Sequence, residues 1–123
     1  MNIEPKWLEE PKPHNYPAAS SYLNLTFTDS ECDRLVKALK STPIVTFKAK
    51  DILRASGLTI LPKDNRHIRS NLQKILTEEE LSPILLVRDA ILRKLIIADG
   101  YHRLCTIYYV DEDLNVPVKI ATV

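Results

Sequence analysis

Cysteine is scarce in this chain. Cys32 and Cys105 are the only two, and they form none of the short spacings that hold a metal ion. Two such residues read as buried, reduced thiols of a cytoplasmic protein rather than as a disulfide framework. Glycine is equally scarce, with Gly57 and Gly100 alone. No apolar run approaches the ~18 residues that cross a bilayer, so no membrane is expected as a partner. The first residues lack the basic and apolar regions of a secretory signal. Net charge is only +1, which argues against a purely electrostatic nucleic-acid binder while leaving local patches open. Internal repeats and low-complexity tracts are absent from the sequence.

What remains is ordinary for a globular protein: 45% apolar and 27% charged residues in a chain of 123, enough for one domain with a single modest core. Residues 1–21 carry Pro5, Pro11, Pro13 and Pro17. Proline fixes φ and lacks an N–H, so an extended arm is expected there. Trp7 and Tyr16 could pin it to the body, and exchange with a second copy in a homodimer is the alternative. The folded body is expected to span 22–123. Leu23, Leu25 and Phe27 alternate with polar residues as in a half-buried strand. "TDSE" then offers helix caps, followed by Cys32, Leu35, Val36 and Leu39 on one helical face. "PIVTF" reads as a strand, and Asp51 to Ser56 as a short helix stopped by Gly57.

Further on, Asp64 is the expected N-cap of a helix whose buried stripe is Ile68, Leu72, Ile75 and Leu76. "PILLVR" and "LRKLIIAD" read as two strands joined by a turn near Asp89 and Ala90. The first is apolar over four consecutive residues, as a strand buried on both faces would be. A last helix runs from about Gly100 to Val110, with Leu104, Ile107 and Tyr108 inward. "NVPVKIA" closes as a strand, and its proline predicts an edge position. The expected fold class is α+β, a compact single domain with a small mixed sheet flanked by helices.

The chemistry gathers on "IIADGYHR", residues 96–103. The first turn of a helix exposes unpaired N–H groups that attract anions, phosphate above all. A glycine at the entry allows a close approach to the backbone. An arginine adds a permanently charged, bidentate contact, and a histidine can donate or move a proton near neutral pH. Gly100, His102 and Arg103 supply these features in four residues. Asp99 could cap the helix, order the loop or hold a metal ion accompanying a polyphosphate. As a simpler reading, Asp99 and Gly100 only end a strand and start a helix.

"SPILLVR", "LIIADGYHRLCTIYY" and "NVPVKIA" together resemble the ParB/sulfiredoxin-like superfamily, over about residues 43–121. The D-G-Y-H-R stretch is similar to the G-C-H-R of sulfiredoxin, to the G-E-R-R of partitioning ParB proteins and to the D-G-x-H-R of a branch that phosphorylates free serine. The resemblance implies that Gly100, Tyr101, His102 and Arg103 bind nucleotide phosphates. From the kinase-like branch alone it implies a metal or catalytic role for Asp99. "HIRSNLQKI" is similar to a sulfiredoxin helix, with Ser70 on the family serine, His67 in place of its lysine and Lys74 in place of its threonine. By spacing alone, 67, 70 and 74 share one helix face. Residues 48–74 also hold seven Lys and Arg against Asp51 and Asp64, so this half of the chain is basic.

Two departures narrow the implied functions. Tyr101 stands where sulfiredoxin has its reactive cysteine, which removes sulfinic-acid repair. The glutamate of the partitioning motif is missing, and no helix-turn-helix follows in this sequence, so DNA partitioning is not expected. The expected function is a nucleotide- or phosphate-binding domain whose partner is a nucleotide or phosphorylated small molecule, not nucleic acid. The alternative is a phosphotransferase or nucleotide hydrolase acting on ATP or another nucleotide with Mg²⁺. Asp99 would hold the metal, His102 would assist in catalysis, and Asp51 or Asp99 would serve as base. A nuclease or general nucleic-acid binder comes third.

Overall fold

Ile84, Leu85, Leu86 and Val87 have no solvent exposure. A strand hidden on both faces needs neighbours along both edges and cover above and below, and the rest of the chain supplies them. The computed structural model describes residues 3–123, so the first two residues of the expected arm lie outside it. In chain order the elements are β1 (Lys6–Trp7), α1 (Asn15–Leu23), α2 (Asp29–Ser41), β2 (Val45–Lys48), α3 (Ala49–Ser56), α4 (Arg66–Leu76), β3 (Glu80–Leu81), β4 (Ile84–Asp89), β5 (Lys94–Asp99), α5 (Tyr101–Val110) and β6 (Asn115–Thr122).

The main sheet has the order β2-β6-β4-β5. β6 runs parallel to β4, whereas β2 and β5 are antiparallel to their neighbours. Such a parallel pair needs a crossover, and α5 provides it between β5 and β6. β1 and β3 form a separate parallel pair. The strand period of two sends Ile84 and Leu86 to one face and Leu85 and Val87 to the other. The first face packs on α3, α4 and α5 through Ile52, Ile75, Leu104 and Ile107. The second packs on α1 and α2 through Leu23, Cys32, Leu35 and Leu39. The molecule is thus a small α+β domain with a mixed sheet, as its sequence predicts. Among the described residues no helix is long and apolar enough to cross a membrane.

Several local expectations hold. Thr28 and Glu31 form a reciprocal capping box at the start of α2. Gly57 ends α3 at φ 68°. Cys32 and Cys105 are buried and unbridged, and burial raises both thiol pKa values.

Others are corrected. The proline-rich arm is not extended throughout, because residues 15–23 form α1. Pro17 is the third residue of that helix, where the missing N–H has no intrahelical acceptor in any case. The expected strand at Leu23–Phe27 is the end of α1 and a tight turn, in which Phe27 N–H donates to the Leu23 carbonyl at 2.9 Å. Asn65, not Asp64, caps α4 by accepting from His67 and Ile68 N–H. Leu76 lies exposed at the end of α4. On α5, Thr106 is fully buried, with its hydroxyl on the His102 carbonyl at 2.7 Å, while Tyr108 is only half-buried.

β6 is an inner strand despite Pro117. Its ladder with β4 begins one residue later, at Val118, so only β2 flanks the proline. The arm is fastened at both ends of its extended part. Leu8 N–H donates to the Leu81 carbonyl at 2.8 Å. Buried Lys119 reaches Glu10 at 3.0 Å and the Lys40 carbonyl at 3.3 Å.

Replacing Leu23, which is wholly buried, with alanine is expected to cost about 2–5 kcal/mol in urea unfolding. Leu25→Ala should cost less than about 0.5 kcal/mol, because that side chain is 78% exposed. Equal losses at both positions would restore the strand assignment.

Candidate functional site

β5 ends at Asp99, paired with Leu85 across an irregularity in the β4–β5 ladder. Gly100 follows at φ 113°, a value that side-chain-bearing residues rarely adopt, and α5 begins at Tyr101. Gly100 is the N-cap, and among the described residues no side chain caps this helix. The N–H groups of Tyr101, His102 and Arg103 therefore lie in a first turn with no intrahelical acceptors.

Asp99 does not cap the helix. Its carboxylate accepts from Arg103 Nη2 at 3.1 Å, and the two side chains keep only 20% and 16% of their exposure. A Cβ on Gly100 would stand 2.7 Å from that Nη2 and 2.9 Å from the Ile84 side chain. The space left by the missing side chain is thus filled from inside by Arg103 and Ile84. The sequence alone pointed to a ligand there and to an arginine free to grip it. Arg103 keeps one unmet donor, since its buried Nε has no hydrogen-bond partner among the described residues.

The two tyrosines of α5 place the next component. Tyr101 hydroxyl donates to the Thr59 carbonyl, and Tyr109 hydroxyl donates to the Leu61 carbonyl at 2.5 Å. These bonds fix the segment leading into α4. As a result His67, second residue of α4, meets His102, second residue of α5, with ring centroids 4.5 Å apart. Tyr101 therefore acts as a pin, and burial raises its pKa. Nothing in the sequence singled out Tyr109 for this role; its carbonyl partner lies 48 residues away.

His102 has its pKa lowered, first by burial and second by the His67 ring. In the first turns of α4, Arg66 and Arg69 are exposed, and no described residue forms an ion pair with them. Lys63 lies instead over the Tyr109 ring, 6.0 Å from its centroid.

Other predicted residues are not drawn in. Ser70 is exposed one turn beyond His67, and Lys74 lies two turns along, about 10 Å up the axis. Neither bonds to the 99–103 loop among the described residues. Asp51 sits on α3, within 3.9 Å of Arg54, and lines a cavity beside the β4–β5 hairpin instead. His67 and His102 are both exposed, and four cavities elsewhere on the molecule are lined by other residues. Among the described residues no three His, Cys, Asp or Glu side chains gather as a metal site would require. No family model, curated protein or solved structure matches this chain.

Gly100→Ala should destabilise the protein by more than the ~1–2 kcal/mol that a left-handed residue costs, because its new methyl also meets Arg103 and Ile84. Gly57→Ala, with open space around it, should lose only the conformational part. Denaturant curves for both variants check the ordering.

The lowered pKa of His102 means that the unfolded chain binds this proton more readily. The histidine therefore takes away stability as pH falls below its ordinary value of about 6.5. His67→Ala should move the His102 pKa upward in an NMR titration. An unchanged or lower value would deny the coupling of the rings.

Proposed function

We propose that the corner where α4 and α5 begin binds a phosphate oxyanion, carried by a nucleotide or a phosphorylated small molecule. The observation that carries this reading is the meeting of His67 and His102 at 4.5 Å beside an uncapped helix start. Both imidazoles sit in the first turn of a helix, and at His102 burial and the His67 ring oppose a positive charge. An anion at this point offsets both effects. It accepts from the α5 N–H groups and favours a proton on the imidazole that faces it. The unpaired Arg66 and Arg69 add an attractive field. The body of a nucleotide would then extend along α4 past Ser70 towards Lys74. The likeness of D-G-Y-H-R to the phosphate loop of ParB/sulfiredoxin-like domains supports the same assignment.

In this reading Arg103 braces the loop from Asp99. The phosphotransferase alternative asks more of the site. Arg103 occupies Asp99 Oδ2, which leaves Oδ1 to meet Mg²⁺ or a proton, and Asp51 lies elsewhere. Binding requires neither group.

Calorimetric titration with inorganic phosphate, ADP and ATP at pH 6 and pH 8 tests the proposal. The expected result is tighter binding at pH 6 for each anion. Combining His67→Ala with His102→Ala should weaken ATP by about tenfold or more, the size expected for charge-assisted contacts. An absence of heat with all three anions, or unaltered affinity in the double variant, would reject the site.

A further inference from the structure

A second site lies at the other end of the sheet, and nothing in the phosphate reading uses it. There α3 leaves part of the sheet face open, beside the turn that joins β4 to β5. The result is a cavity of about 430 Å³, within the range of small-molecule pockets. Its floor is apolar, and strand register explains why. Leu86 pairs with Ile120 and Arg88 with Leu95, so these four side chains share the face that α3 partly covers. Phe47 completes the accessible floor with Leu95 and Ile120, while Leu86 and Ile52 lie buried beneath it. Ala55 of α3 is too small to close it.

The rim is charged, and the two signs are not equally free. Among the acids, Asp89 accepts from the N–H groups of Ile91 and Leu92 at 3.1 and 3.0 Å, and Asp51 lies near Arg54. Among the cations, Arg88 has one long hydrogen bond, 3.4 Å to the Thr122 hydroxyl. Arg93 and Lys94 form no ion pair with any described residue. The hairpin also holds Arg93 at φ 53°, so its position is set by the turn. An apolar floor under three uncommitted cations is complementary to a molecule with an apolar body and one acidic end.

We propose that this cavity binds a small organic anion with an apolar body, an alkyl or aryl carboxylate or sulfonate. The body lies on Phe47, Leu95 and Ile120, and the acid meets Arg88, Arg93 and Lys94.

The test uses the full chain and anilinonaphthalene sulfonate, an aryl sulfonate that fluoresces in apolar surroundings. The expected result is saturable binding at one site per chain. Octanoate should displace the probe at roughly a tenth of the concentration that octanol needs, since only the acid reaches the cations. Arg88→Gln with Lys94→Gln should remove that preference and leave octanol unchanged. Ala55→Trp, at an exposed position, should block the probe while the melting temperature stays near that of the parent. Amide shifts caused by octanoate should centre on Phe47, Leu95 and Ile120. Non-saturating fluorescence, equal displacement by the two competitors, or shifts confined to Ile91–Leu92 or to residues 99–103 would each overturn the proposal.

Discussion

The burial of β4 on both faces is the constraint around which this protein is built. Four consecutive apolar residues without exposure leave no solvent-facing side to the strand. Its edges must be satisfied by other strands, and β6 and β5 take those places. Each face must then be covered, and the two helical layers differ in origin. α1 and α2 come from the N-terminal third of the chain, whereas α3, α4 and α5 come from the rest. The parallel pairing of β4 with β6 also dictates that α5 cross over the sheet. That crossing puts the start of α5 directly after β5, where the proposed anion site lies.

The seam between β5 and α5 shows how one glycine can serve the fold rather than a ligand. Gly100 turns the chain at a positive φ and leaves room for Arg103 to fold back onto Asp99. The pair is partly withdrawn from water, so it is screened less than a surface pair and loses more if one partner is removed. It orders the loop on which His102 stands. The same economy appears at the other end of α5, where Tyr109 holds the Leu61 carbonyl and helps to set the position of α4. Positioning His67 against His102 is therefore the work of residues on three separate segments.

The two proposed sites occupy opposite ends of one sheet and differ in physics. The corner at α4 and α5 is an open, polar surface with helix N–H groups and imidazoles. The cavity near the β4–β5 hairpin is apolar below and cationic above. They share no lining residue, so an effect of one ligand on the other would have to pass through the elements between them. β4 and β5 reach both ends, and α3, which borders the cavity, packs against α5.

Much of the fold could be read from the chain because it rests on short-range rules. The apolar period of α2, the capping Thr28 with Glu31, the stop at Gly57 and the continuous apolar run of β4 each depend on neighbours within a few residues. The presence of a polar, histidine-bearing seam at 99–103 was legible for the same reason. Tertiary contacts decided the rest. Alternation at Leu23–Phe27 fits a strand or a helix end equally well, and packing of α1 against β5 and α2 chose between them. Pro117 marks an edge by local logic, yet the ladder to β4 starts one residue beyond it. The partner of Arg103, the pinning of Thr59 and Leu61 by tyrosines, and the contact of His67 with His102 depend on where whole elements come to rest. That is a property of the packed core, since a side chain's partners across the sheet are set by distances that no local sequence pattern encodes.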